Sequence, residues 1–186
     1  MHNTVFPQES IFSPQFTPLR ERLPNAPVIP VPPGLHVLEE SGLDEAFALL
    51  LDALENTDGN ALIIDALSVT NPHHIVQICK RQGRDYRTCL DRILIERPFT
   101  AYQMTSVVGE LLPKWIKEDN IKVIMGIGLF TLLQDPDLGE LYRQWGKGLI
   151  MRRLKVATQY YGLSTFLLPL QGKSHLYFLN TLRTGK

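Results

Sequence analysis

Residues 121–127 read Ile121-Lys122-Val123-Ile124-Met125-Gly126-Ile127, an almost unbroken apolar run that decides the fold. A strand this apolar is buried on both faces, as in a parallel sheet covered by helices. Downstream, residues 146–161 carry a helical pattern, with Ile150, Leu154, Ala157 and Tyr161 on one face and Arg152, Lys155 and Gln159 on the other. Gly162 follows where a left-handed cap would stop that helix. Two further strands are predicted at residues 164–168 and 176–179. Upstream, a helix is predicted near 101–117 and a strand at 93–95. Pro72 opens another helix that runs to about Gln82, proline suiting a first turn. The ALIID run at 61–65 reads as a buried strand bounded by Asp58-Gly59. A helix at 43–54, apolar around most of its circumference, and a strand at 35–38 complete the series. This regular alternation predicts an α/β fold, a mostly parallel sheet flanked by helices on both faces.

The chain has 186 residues, enough for one domain with a sizeable core. Lys+Arg and Asp+Glu balance at 19 each, so any charge-driven binding must come from a local patch. Cys79 and Cys89 lie ten residues apart with neither a CxxC nor a histidine at metal spacing; they read as buried free thiols of a reducing, cytoplasmic protein. No apolar run approaches the roughly 20 residues of a membrane helix, and no basic segment precedes an apolar one at the start, so neither membrane nor secretion is expected. Residues 1–33 differ from the rest, holding eight of the 13 prolines. Prolines fix φ and disfavour helix at the preceding residue, so this segment is expected to be extended. It also carries Phe6, Phe12, Phe16, Val28 and Ile29, and is expected to pack on the core (34–186) or on a neighbouring subunit.

Several stretches, taken in order, resemble the RecA/RadA family of recombination ATPases over about residues 34–171. One runs Asn71-Pro72-His73-His74-Ile75, then Gly83, then Asp91-Arg92-Ile93-Leu94-Ile95-Glu96-Arg97-Pro98-Phe99, then Gln103. Another is Gly139-Glu140-Leu141 with Arg143-Gln144, shortly after the strand where the family keeps its Walker B aspartate. The resemblance implies a RecA-like core, a recombination or repair setting, and assembly with like subunits.

The same resemblance exposes what this chain lacks. A P-loop wraps phosphates in glycine-rich amides, neutralises them with lysine, and holds magnesium on a hydroxyl. The corresponding turn reads Glu39-Glu40-Ser41-Gly42-Leu43-Asp44-Glu45-Ala46-Phe47, with one glycine, no lysine, and no hydroxyl at its end. Its carboxylates would repel a poorly solvated phosphate by about 4 kcal/mol per close pair; the turn reads as a self-capped helix start. The family's acidic pair after the second strand is reduced to Asp65-Ala66-Leu67, and the Walker B aspartate falls near Gly126, which cannot help hold Mg²⁺. Gln171 matches the family glutamine after the next core strand. No cofactor, resident metal or ATP hydrolysis is therefore expected.

For nucleic acid, residues 170–174 are too short to act as the family's mobile DNA-binding loop. Arg143, Lys147, Arg152, Arg153 and Lys155, with Trp145 and Tyr142 nearby, form a candidate surface for single-stranded DNA. The alternative is a solvated helix face with Trp145 in the core. Lys80, Arg81, Arg84 and Arg87 read as ordinary surface. His73 and His74 point about 100° apart on a helix and are not expected to share a metal. Asp135 and Asp137 flank Pro136 in a turn. The family's phenylalanine-alanine oligomerisation spacing is absent after Phe6, Phe12 and Phe16, which precede Glu9, Gln15 and Leu19 at that distance. The resulting expectation is a non-catalytic accessory subunit that binds a recombinase, a sister paralog or single-stranded DNA. The alternatives are a regulatory protein-binding module outside recombination, and an unrelated α/β enzyme with Asp65, Ser68 and Gln171 at its strand ends.

Overall fold

A computed structural model describes residues 31–38 and 42–169. Five strands form one sheet: β1 (Gly34–Val37), β2 (Asn60–Asp65), β3 (Ile93–Glu96), β4 (Ile121–Ile127) and β5 (Ser164–Leu168). Their order is β1-β5-β4-β2-β3, and every pairing is parallel. Parallel neighbours need crossover connections, which the intervening helices supply.

Side-chain alternation along the central strands divides the core into two layers. Ala61, Ile63, Val123, Met125, Ile127, Phe166 and Leu168 pack under α1 (Leu43–Glu55), α2 (Pro72–Arg81) and α3 (Tyr86–Leu90). Leu62, Ile64, Ile124 and Leu167 face α4 (Ala101–Ser106), α5 (Leu112–Glu118) and α6 (Glu140–Tyr160). Ile121 breaks the alternation and joins the second layer. The register slips beside it: Asn60 pairs with Ile121, but Ala61 pairs with Val123, leaving Lys122 as an extra residue.

Three elements depart from the sequence reading. The helix predicted from residue 146 begins at Glu140, with Gly139 as N-cap. Gly146 and Gly148 resemble a boundary, but Gly146 serves packing. A Cβ there would lie 2.8 Å from Leu133 Cδ2 and 3.4 Å from Thr105 Cγ2, so glycine lets α6 lie close to its neighbours. The predicted 101–117 helix is helical throughout but widens to a π turn at Val107–Leu111 between α4 and α5. Helix α3 was not predicted; five residues are too few to show a period, and Asp85 nucleates it by accepting from the Arg87 and Thr88 amides. Gly162 has φ +66°, the left-handed conformation expected of a stop.

Of the proline-rich segment, residues 31–33 are described. Val31 is buried in the α1 layer, and the Pro32 carbonyl accepts from Ser164 Oγ. Residues 1–30, the predicted 176–179 strand, the 170–174 loop and Gln171 lie outside the described residues.

Candidate functional site

In open parallel sheets ligands bind beyond the carboxyl ends of the strands, so that edge comes first. Past β1, Glu39, Glu40 and Ser41 lie outside the described residues. The start of α1 is not self-capped, contrary to the sequence reading. Gly42 is the N-cap and has no side chain to offer, and the Asp44 carboxylate turns to α2 instead. It pairs with His74 Nε2 and accepts from Arg81 Nη2 at 2.7 Å. The Arg81 hydrogen bond, with help from His74, holds the Asp44 carboxyl below its ordinary value. Glu45 is partly buried on the next position. Ala46 and Phe47 are fully buried, and the Phe47 ring meets His74 edge-on.

At the end of β2, Asp65 is fully buried but turned onto its own loop, accepting from the amides of Leu67 (3.1 Å) and Thr70 (2.6 Å). Arg97, just past β3, donates to the Thr70 carbonyl at 2.6 Å and fixes the far side of that loop. Ser68 sits between these anchors, exposed, with φ +53°. At the end of β4, Gly126, Gly128, Leu129, Phe130, Leu167, Leu168 and Pro169 line a small apolar hollow. A Cβ on Gly126 would lie 2.5 Å from Leu129 Cδ1, so no side chain enters here unless Leu129 moves. Leu129 is thus folded back over Gly126.

The second region is the outer face of α6. Ile150, Leu154 and Ala157 point inward, so the opposite face presents Leu141, Trp145, Gly148, Arg152, Lys155 and Val156. Trp145 is 55% exposed and Leu141 84%, which places Trp145 outside the core. Tyr142 lies at the seam with α4: its ring centroid is 5.3 Å from Trp145 and 4.8 Å from Tyr102, and its hydroxyl meets Thr105 Oγ1 at 2.7 Å. That anchored tyrosine holds a platform of which Tyr102 and Trp145 are the exposed members. Arg152, Arg153 and Lys155 are exposed beyond it, with Tyr160. Arg143 is occupied otherwise: it donates to the carbonyls of Leu138 and Pro136 and lies 3.7 Å from Glu140, bracing the turn before α6. Lys147 is half-buried and already engaged.

Arg84 corrects the reading of the second basic set as surface. Its side chain is 8% exposed and pairs with Asp52, itself 1% exposed, and with Glu55 at 3.2 Å. The signal for it was Asp52, a carboxylate in an otherwise apolar helix, which burial makes costly without a cation. Lys80, Arg81 and Arg87 are exposed. Asp135 accepts from the Asp137 amide at 3.0 Å, the expected turn. His73 is exposed and His74 belongs to Asp44; among the described residues no group of three or more potential ligands is placed to hold a metal.

Fold and surface together define an all-parallel, three-layer α/β domain with an apolar hollow at its central strand ends and an aromatic-basic helix face. No protein-family model matches the chain, and neither does any curated protein. No helix among the described residues is long and apolar enough to cross a membrane.

Proposed function

We propose that this chain is a non-catalytic, RecA-like accessory subunit of DNA recombination or repair that works by binding and not by ATP turnover. The observation that carries the reading is Leu129 packed over Gly126, at the position aligned with the family's Mg²⁺-holding aspartate. Around it, Asp44 is tied to His74 and Arg81, Asp65 to its own loop, and Ala46 and Phe47 to the core. The proposed contact surface is the outer face of α6, where Trp145 offers a stacking plane and Arg152, Arg153 and Lys155 supply charge.

Fluorescence anisotropy of the full chain with a labelled oligothymidine at two salt concentrations tests this surface. Binding should weaken with salt and fall about ten-fold on Trp145→Ala, each stacked base being worth roughly 1–3 kcal/mol. Arg152→Ala with Arg153→Ala should lower both affinity and salt dependence. Affinity unchanged by all three substitutions would remove this face from the account.

A second reading, a protein-binding module outside recombination, is favoured by Leu141 and Trp145, both exposed and one turn apart on the outer face of α6. Large apolar side chains in contiguous exposure mark protein interfaces. Affinity capture with cross-linking separates the two: a recombinase, sister paralog or single-strand-binding protein supports the first, and an unrelated partner lost on Leu141→Ser supports the second.

A further inference from the structure

On the opposite layer, α2 and α3 bring the only two cysteines of the chain together. Cys79 is buried in the α1 layer, and Cys89 packs half-buried against the same cluster, where the two thiols interact electrostatically. Cys89 also opens on a cavity of about 180 Å³ lined by Leu51, Leu54, Glu55, Arg84, Asp85, Thr88 and Arg92. That is several times the roughly 30 Å³ share of one water molecule. Arg84 lies beside both thiols. Its Nη2 and Nε serve Asp52 and Glu55, while Nη1 is buried with no hydrogen-bond partner.

The two sulfurs differ in character. The Cys79 thiol, the guanidinium of Arg84 adding to it, draws Cys89 down to about 7 despite partial burial. The interaction with Cys89, with burial second, pushes Cys79 well up. A thiolate beside a cation and open to a cavity is the arrangement of a reactive cysteine, and a second thiol within reach supplies the resolving partner.

We propose that Cys89 is an oxidisable nucleophilic thiol resolved by Cys79, and that the site takes small neutral hydroperoxides. Cys89 thiolate attacks the terminal peroxide oxygen, the O–O bond breaks, and the alkoxide or hydroxide leaves with a proton to give an alcohol or water. The sulfur becomes a sulfenic acid. Cys79 sulfur then attacks it, the S–O bond breaks, water leaves, and a Cys79–Cys89 disulfide forms. The dithiol loses two electrons and two protons; the peroxide gains both. Glu55 and Asp85 at the cavity are balanced by Arg84 and Arg92, so its lining carries no net charge to draw in an anionic oxidant such as glutathione disulfide.

The test mixes the reduced full chain with stoichiometric hydrogen peroxide, then blocks remaining thiols with iodoacetamide for intact-mass and peptide analysis. Both thiols should vanish together, within one chain, with the mass lower by two hydrogens and restored by dithiothreitol. Cys79→Ser should leave Cys89 as a sulfenic acid captured by dimedone; Cys89→Ser should leave Cys79 unoxidised. For the wild type, the alkylation rate of Cys89 should rise with pH to a midpoint near 7. Oxidation no faster than in urea, a bridge between two chains, bridging by glutathione disulfide but not peroxide, or a midpoint at about 8.5 or above would overturn the proposal. The wild-type measurements decide it even if a serine variant does not fold.

Discussion

The two helical layers dispose of their charge in opposite ways. Under α1–α3 it is paired between elements: Asp44 meets His74 and Arg81 at the surface, Asp52 and Glu55 meet the buried Arg84, and Arg92 reaches back to the carbonyls of Leu54, Thr57 and Gly59. Along α6 the charge points out, with Arg152, Arg153 and Lys155 beside exposed aromatics. Ion pairs that join one element to another fix geometry, whereas the outer face of α6 presents its charge to solvent. Of the acidic residues at the start of α1, Asp44 is therefore spent on structure.

That contrast can be broken at its strongest point. Arg84→Ala leaves the Asp52 carboxylate buried beside Leu51 and Leu54 without its cation, and should cost about 3–5 kcal/mol in urea unfolding. A loss comparable to that of an exposed pair would mean the Asp52–Arg84 pair is not what closes this layer. Gly126→Ala comes next. The new methyl must displace Leu129, an overpacking cost of about 1–3 kcal/mol, and a neutral result would mean the apolar roof is loose.

His36 gives a smaller effect, confined to acid. It is buried against Phe166 with its ring nitrogen at the Pro32 carbonyl, and burial lowers its pKa from the ordinary 6.5. A folded-state value below the unfolded one means the unfolded chain binds the proton more readily. Stability should hold above pH 6.5 and decline as pH falls from there toward the folded value, and no further on this account once both states are protonated. Melting temperatures across pH 5–8, with an NMR titration of His36, check the window; a midpoint at or above 6.5 would refute it. The smallest effect is on the open face. A Cβ at Gly148 meets nothing within 4 Å, so Gly148→Ala should stabilise α6 by about 0.5–1 kcal/mol without altering binding to partners that avoid this groove-free surface.

How much of this was legible depended on whether the cause was local. Strands β4 and β5 begin at the predicted residues because their apolar runs are punctuated sharply, by Asn120 at φ +48° before β4 and Gly162 at φ +66° before β5. The start of α6 was hidden because Gly146 and Gly148 look like breaks, and only the closeness of Leu133 and Thr105 explains the first of them. The Asp52–Arg84 pair spans 32 residues, so it exists only once the turn between α2 and α3 docks on α1. Trp145 was ambiguous for a similar reason: with the helix starting at Glu140, its position falls opposite Ile150 and therefore outside. The candidate surface was thus half visible. Its residue types were plain, but which of them were free was not, and Arg143 and Lys147 drop out because neighbours already hold them.

The central proposal is that the strand ends serve packing and not nucleotide chemistry. Calorimetric titration of the full chain with Mg·ATP tests it most directly. The account predicts no saturable heat at millimolar nucleotide, for the wild type as for Asp44→Ala; saturable one-to-one binding that Gly126→Ala abolishes would contradict it.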